Sequence, residues 1–336
     1  MNAIAEAKAL VRQWWAAFDA APAADLHALT AAHLSPDFRW QGFAPVPDCT
    51  GAESFAETFL VPFRNAFPGY TRKVHLFCAG ISNGTRDGTG DGALWVGATG
   101  YLSGHAVAPF EGIPAGENLR LRWAEFYRIE AGQIVQCQHL IDVVDWLEQL
   151  GLSPLPKPMG EPHIWPAPTA YDGDLKGAYD PEEGARSLAL CRDLLFGGLN
   201  TFDGADLASM GMARFFHPNI KWYGPGGIGA CLSLEEFTIR HQEPWLFAFP
   251  DRKVMDLDNL FAEDRVVACS SYPGVVATHG GPYQGFGPTG AQLRIHGIDF
   301  WLRTDTVLTE NWVFVDFPHL FAQMGIDLLS RAKELT

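Results

Sequence analysis

Two neighbouring stretches of this sequence place ionisable side chains on segments whose alternation is typical of β-strands. In LRLRWAEFYRI, residues 119–129, Glu125 shares one face with apolar and aromatic side chains, while the arginines fall on the other face. A carboxylate that loses its water on such a face has a raised pKa and can act as an acid or a base near neutral pH. We therefore predict that Glu125 is catalytic. The alternative is a carboxylate bonded to an arginine or to a helix end.

The next segment, CQHLID at 137–142, brings a histidine next to that carboxylate. Alternation puts Cys137, His139 and Ile141 on the inward face of a strand. An imidazole with a pKa near neutrality could transfer a proton, with Glu125 orienting its ring. We predict that His139 is catalytic and keep open that it is a buried structural histidine, satisfied by Glu125 or by a backbone carbonyl.

Two further histidines lie at equivalent places in two similar stretches. SGHAVAPFEGIPAG contains His105, and ATHGGPYQGFGPTG contains His279 at the matching position. The recurrence predicts a pocket lining in both, with a shared structural hydrogen bond as the alternative. In the catalytic interpretation, His139 or Glu125 removes a proton next to a carbonyl group. His105 or Tyr127 then stabilises the resulting enolate.

Aromatic residues accompany these groups and would line a flat, apolar cavity, although most aromatic residues at such spacings belong to a core. The predicted substrate-binding residues are Trp15, Trp40, Trp123, Tyr127, Cys137, Trp222, His279, Asp299, Trp301 and Asn311. The sequence has no H-E-x-x-H and no close pair of metal ligands, so we expect no metal. GFGPTG at 285–290 precedes a strand and contains proline, which argues against a dinucleotide site, and we expect no cofactor.

Equivalent positions recur because the chain repeats itself. The matching segments are FRWQG (38–42) with IKWYG (220–224), AFPGYTRKV (66–74) with AFPDRKV (248–254), and EFYRIEAGQIVQCQHLIDVVDWLEQLG (125–151) with DFWLRTDTVLTENWVFVDFPHLFAQMG (299–325). The last match aligns Glu125 with Asp299. We predict two copies of one domain, residues 1–152 and 184–336, joined by a proline-rich connector at 153–183.

Within each copy, amphipathic helices come first and alternating strands follow. Leu10, Trp14 and Phe18 form the apolar stripe of the first helix, and three or four strands with turn signals close the copy. Helices followed by a run of strands predict an α+β fold. A curved antiparallel sheet wrapped around the helices would form a cone with one deep pocket.

Each copy resembles the SnoaL-like polyketide cyclases, within the nuclear-transport-factor-2-like superfamily. The resemblance is carried by GFGPTG (285–290) and the looser FEGIPAG before a strand, by the strand–turn–strand FYRIEAGQIVQ, and by Asp142 or Asp316 before a helix ending EQLG or AQMG. In that family a later strand typically reads E-H-W-D, with the histidine and a catalytic aspartate facing the pocket. Those two positions fall on Cys137 and His139, and on Asn311 and Val313, so neither copy keeps the aspartate.

The resemblance implies tandem cone domains that form an internal pseudo-dimer, and further assembly into a homo-oligomer is left open. It also implies a cofactor-independent acid/base enzyme, an aldol cyclase, isomerase or hydratase, acting on a small hydrophobic carbonyl compound. The first copy is the expected catalyst. The alternatives are a non-catalytic small-molecule binding protein and, if Glu125 and His139 face a sheet–sheet interface, an oligomerisation module.

The composition excludes other classes of partner. The chain of 336 residues has a formal net charge of −15, which argues against nucleic acid and against an anionic membrane surface. Its six cysteines are dispersed, which favours reduced thiols over a disulfide framework. We therefore expect a cytoplasmic protein with a small-molecule partner, with neither nucleic acid nor membrane.

Overall fold

The computed structural model of the protein describes residues 3–175 and 179–334. Residues 176–178 of the predicted connector lie outside the described residues. Each half of the chain begins with helices, continues with long strands and closes with one or two short helices. The first half contains α1 (Ala3–Ala20), α2 (Leu26–His33), β1 (Leu34–Gln41), β2 (Cys49–Thr50), α3 (Ala52–Phe55), a π-helical segment (Ala56–Leu60), α4 (Val61–Ala66), β3 (Thr71–Ile81), β4 (Leu94–Ala106), β5 (Gly116–Glu130), β6 (Gln133–Ile141) and α5 (Val143–Gln149).

The second half repeats this order. It contains α6 (Pro181–Arg192), a π-helical segment (Asp193–Gly198), β7 (Phe216–Tyr223), β8 (Ala230–Cys231), α7 (Leu234–Phe237), a π-helical segment (Thr238–Gln242), α8 (Glu243–Ala248), β9 (Lys253–Val254), β10 (Asn259–Glu263), β11 (Val266–Thr278), β12 (Gln292–Thr304), β13 (Val307–Val315), α9 (Phe317–Gln323) and α10 (Leu328–Lys333). Short 3₁₀ turns complete both halves.

The two sheets have the same topology, which confirms the predicted α+β fold. The first has the strand order β2-β1-β6-β5-β4-β3, and the second has β10-β11-β12-β13-β7-β8, with β9 paired to β11. Neighbouring strands are antiparallel, except that β1 pairs with β6 and β7 pairs with β13 in parallel. The place of β3 is therefore divided between β9 and β10 in the second half.

The outer faces of the sheets pack against each other and leave the inner faces to the helices. The ring of Phe126 lies 5.8 Å from that of Phe261 and 5.2 Å from that of Phe300. Across the same interface, Lys8 Nζ forms a buried ion pair with Glu263 at 2.8 Å. Because side chains alternate along a strand, the neighbours of Phe126 on β5 point to the inner side. Glu125 therefore faces the helices and not the interface between the sheets.

From residue 153 to residue 175 the connector contains no helix or strand. Trp165 is buried, with its ring 4.7 Å from that of Phe314. Isolated bridges join Asp174 to Phe77 of the first half and Glu161 to Ala230 of the second. Of the helices in the described part of the chain, none has the length and apolarity needed to span a bilayer.

Candidate active site

Glu125 and His139 lie opposite each other on β5 and β6, on the same face, as their alternation predicts. Nε2 of His139 is 3.9 Å from Oε1 of Glu125, which is too long for a hydrogen bond. This nitrogen is buried and has no hydrogen-bond partner within residues 3–175 and 179–334. The two groups are neighbours, but they form no proton relay.

Three donors hold one of the two carboxylate oxygens of Glu125. Its Oε2 accepts hydrogen bonds from Trp15 Nε1 at 2.8 Å and from Tyr127 Oη at 2.7 Å. The same oxygen lies 3.1 Å from Nη1 of Arg72 on β3, and the guanidinium also binds Asp19 of α1, with Nε 2.8 Å from Oδ2. The carboxyl is therefore one part of a buried network of ion pairs and hydrogen bonds.

This network determines the ionisation of Glu125. Burial alone would raise the pKa of Glu125. The positive charge of Arg72 lowers it, and His139 and the two neutral donors lower it further. Together these effects outweigh burial and bring the pKa below its ordinary value. The expectation of a raised pKa is therefore wrong. A carboxyl that stays ionised and bonded on this side is a poor base near neutral pH.

His139 is enclosed by aromatic rings. Ring centroids of Phe59, Phe43 and Trp40 lie 5.2, 5.6 and 6.2 Å from the imidazole, all close to perpendicular. Burial lowers the pKa of His139 to about 4, with Glu125 acting in the opposite sense. The expected pKa near neutrality is wrong, and the imidazole is neutral at pH 7.

Neither His105 nor His279 shares a pocket with Glu125 and His139. His105 is exposed, and its Nδ1 accepts a hydrogen bond from the Asn118 N–H at 3.2 Å. The pairing of β4 with β5 is irregular between Gly104 and Ala106, and such a bulge redirects the side chain at its centre. The prediction of a pocket position for His105 is therefore wrong. His279 is buried but bonds Thr289 Oγ1 at 3.0 Å, so it tethers the loop that contains GFGPTG.

The remaining predicted binding residues of the first half fill its interior. Trp15 packs its indole 5.1 Å from Phe77, 5.6 Å from Trp123 and 6.3 Å from Tyr127. The other members of this buried set are Trp40, Trp123 and Cys137. These side chains contact one another where a substrate was expected.

The second half encloses a cavity of about 170 Å³ at the corresponding place. It is lined by four residues that the sequence predicted, Trp222, Asp299, Trp301 and Asn311, together with mainly aliphatic and aromatic side chains from the helices and from β11, β12 and β13. An apolar cavity of about 150 Å³ in another protein holds a benzene molecule. The cavity therefore has room for roughly one six-membered ring.

Asp299 is the carboxyl of this cavity. Its Oδ1 accepts a hydrogen bond of 3.3 Å from Nδ2 of Asn311, which also donates to the Phe300 carbonyl at 2.9 Å. Oδ2 has no donor among the described residues. Burial raises the pKa of Asp299 to about 7, and the single amide donor lowers it only slightly. The carboxyl is thus poised to exchange a proton at neutral pH.

Aliphatic side chains, among them Leu195, Leu199 and Val313, line much of the cavity. Val313 takes the place of His139 in the match described above. An imidazole ring is thus replaced by a smaller side chain, which leaves more open space on this face of the sheet.

Sequence reasoning missed the polar residues that helix α8 and its surroundings contribute. His241 stacks on Trp222 with ring centroids 4.2 Å apart, and burial, assisted by Arg252, lowers the pKa of its imidazole to about 3. Arg252 lines the cavity with only 6% of its surface exposed. The signal for Arg252 was present in the repeat, because AFPDRKV aligns it with Arg72.

A second buried carboxyl with a raised pKa lies outside the cavity. Asp316 caps helix α9 by accepting the His319 N–H at 3.2 Å, and it also accepts the Ala44 N–H at 3.0 Å. Burial raises its pKa to about 7. Potential metal-ligand atoms of Asp316, His296 and His319 lie within 4.8 Å of one another, but both carboxylate oxygens already have backbone partners.

Comparison with known proteins finds a similarity in the first half. Residues 11–137 match the family model described as a SnoaL-like domain. A proposed SnoaL-like polyketide cyclase from Jannaschia sp. CCS1 is 16% identical, with 44% of this chain and 97% of that chain covered and a TM-score of 0.38. AclR, a proposed hydroxylase from Streptomyces galilaeus, is 25% identical (42% and 96% covered, TM-score 0.34). IdmH, a proposed polyketide cyclase from Streptomyces antibioticus, is 21% identical (39% and 96%, TM-score 0.31). Curated proteins give no match.

Proposed function

We propose, from the premise that residues 11–137 form a SnoaL-like domain whose fold the second half repeats, that this protein is a cofactor-independent acid/base enzyme. Its substrate is a small hydrophobic carbonyl compound. The working pocket is the cavity of the second half, and not the inner face of the first half, which the sequence favoured.

One observation carries this proposal, namely the state of Asp299. A carboxyl with a pKa of about 7 is ionised in half of the molecules at neutral pH, and it is a stronger base than an ordinary aspartate. Asn311 orients Oδ1, which leaves Oδ2 as the oxygen that can reach a substrate. The walls of Trp222 and Trp301 would bind the flat face of an enolisable ring.

The chemistry follows from these positions. Oδ2 of Asp299 removes a proton from the carbon next to the carbonyl group, and the electron pair of the C–H bond moves into the enolate. When a C=C double bond lies β,γ to the carbonyl group, the enolate is conjugated with it. Returning the same proton to the γ carbon then moves the double bond into conjugation with the carbonyl group, an isomerisation that a single carboxyl can perform. Aldol closure or hydration requires a second proton donor, and His139 is replaced by Val313 in this half. Isomerisation is therefore the reaction that the pocket supports best.

Hydrogen–deuterium exchange tests the proposal whichever product the enzyme forms. One-ring ketones would be incubated in D₂O with the full chain, and loss of the proton signal next to the carbonyl would be followed by NMR. We expect exchange with the wild-type protein and with Glu125→Gln, and none with Asp299→Asn. Ketones that bind without any exchange would overturn the enzyme proposal in favour of a small-molecule binding protein.

A further inference from the structure

Among the described residues, no counter-ion pairs with the buried cation of Arg252. Its Nη1 is buried and has no hydrogen-bond partner among the described residues, and Nη2 contacts only the thioether sulfur of Met210, at 3.3 Å. Sulfur of this kind is a weak acceptor. Burial lowers the pKa of the guanidinium to about 10, so the side chain remains protonated at neutral pH.

The first half shows which partners an arginine binds at the equivalent position. Arg72, at the equivalent position, is paired with Glu125 at 3.1 Å and with Asp19 at 2.8 Å. Among the residues that line the cavity of the second half, Asp299 is the one carboxyl. It takes the place of Glu125 in the repeat, and its side chain is one methylene shorter.

Within residues 3–175 and 179–334, Arg252 and Asp299 form no ion pair with each other, and their hydrogen bonds go to Met210 and Asn311. The pKa of Asp299 reflects burial and Asn311 without a contribution from Arg252, and that of Arg252 reflects burial alone. Both residues line the same cavity. The cavity therefore holds a fixed cation and a proton-exchanging carboxyl that do not neutralise each other.

We infer that the substrate carries a carboxylate that binds Arg252, so that the preferred ligand is a small one-ring carboxylate with an enolisable carbonyl. This inference rests on the proposed function for the carbonyl part only. A guanidinium binds a carboxylate through two parallel hydrogen bonds, and charged partners strengthen such bonds when water is excluded. Arg252 is the cation among the cavity residues, since His241 is neutral, which favours a monoanion over a doubly charged phosphate.

Two isosteric probes test the inference on the full chain. Benzoate and benzamide have nearly the same shape, and only benzoate is anionic at pH 7. Titration calorimetry, or quenching of the tryptophans that line the cavity, would give both affinities. We expect benzoate to bind the wild-type protein at least about tenfold more tightly than benzamide, as a charge-assisted contact implies.

Variants assign the preference to Arg252 and separate it from catalysis. Arg252→Met should remove the preference for benzoate, and Arg252→Lys should restore part of it. If Arg252→Met does not fold, the wild-type preference and the Lys variant still decide the question. Equal binding of benzoate and benzamide by the wild-type protein, or an undiminished preference in Arg252→Met, would overturn the inference. Benzoate binding that depends on Arg252 without exchange in any ketone would leave it standing and would overturn the proposed function instead.

Discussion

Glu125 and Asp299 occupy the same place in the two halves of the chain. The pKa of Glu125 nevertheless lies below its ordinary value, whereas that of Asp299 is raised to about 7. Glu125 lies 3.1 Å from an arginine and accepts two further hydrogen bonds, whereas Asp299 accepts one amide hydrogen bond at 3.3 Å. One repeated position therefore provides a structural ion pair in the first half and a candidate base in the second.

Removing the carboxyl of the cavity should abolish proton exchange. For Asp299→Asn we expect a loss of about 10²-fold or more in the rate, the usual contribution of a general base. The base is active when ionised, so the wild-type rate should rise with pH and reach half its maximum near pH 7. A pH–rate profile checks this. A profile that is flat from pH 5 to 9 would contradict the role of Asp299.

The same substitution should change the dependence of stability on pH. The pKa of Asp299 is raised in the folded state, from 3.8 to about 7, so its ionisation costs stability as the pH rises through that window. The full shift corresponds to about 4 kcal/mol, and we expect about 2 kcal/mol because the carboxyl is partly accessible from the cavity. Urea unfolding should show Asp299→Asn to be more stable than the wild type at pH 8 and equal to it near pH 4.

Removing the charge of Glu125, the counterpart of Asp299 in the first half, should lower the stability of the protein. Glu125→Gln leaves Arg72 with Asp19 as its one remaining carboxylate, so we expect the free energy of unfolding at pH 7 to fall by about 2 kcal/mol or more. Glu117→Gln, an exposed carboxyl on the same strand, is the matched control and should change stability by less than about 0.5 kcal/mol. Chemical denaturation of both variants decides whether the buried network stabilises the fold.

His139 should behave as a structural residue. Because burial lowers its pKa to about 4, its ring resonances should not titrate between pH 5 and 8 in NMR spectra. The variant His139→Phe should keep the exchange activity of the second half. A titration near pH 6.5 would instead restore His139 as a candidate for proton transfer in the first half.

Filling the cavity should block binding without unfolding the protein. Leu195 lines the cavity, so Leu195→Trp places an indole in it, and we expect loss of benzoate binding with little change in melting temperature. In the first half, Trp15→Leu removes a buried ring and should cost about 3 kcal/mol in stability. Retained benzoate binding in Leu195→Trp would show that the ligand occupies another site.

Strand alternation predicted the pairing of Glu125 with His139 because the period of two determines which side chains share a face. It could not predict their pKa values, because Arg72 comes from a strand about fifty residues earlier and Asp19 from the first helix. The recurrence with His279 predicted a pocket position for His105. The sequence did not reveal the bulge between Gly104 and Ala106, which shifts the alternation by one residue.

The repeat likewise identified Asp299, Trp222 and Asn311 as equivalents of residues in the first half. It did not show that the second half is the one with an open pocket. That outcome depends on the summed volume of side chains at several distant positions, of which Leu195 is one, and such a sum is not visible in any single motif.

The packing of the two sheets through Phe126, Phe261 and Phe300 has a further consequence. In a homodimer, symmetry would impose every substitution on both pockets at once. Here the partners are joined in one chain, so their association does not depend on protein concentration. Valine could therefore stand at position 313 while His139 remained at the matching position of the first half. The two pockets can therefore differ in sequence and be inherited together. One half can then serve as a rigid support while the chemistry of the other changes.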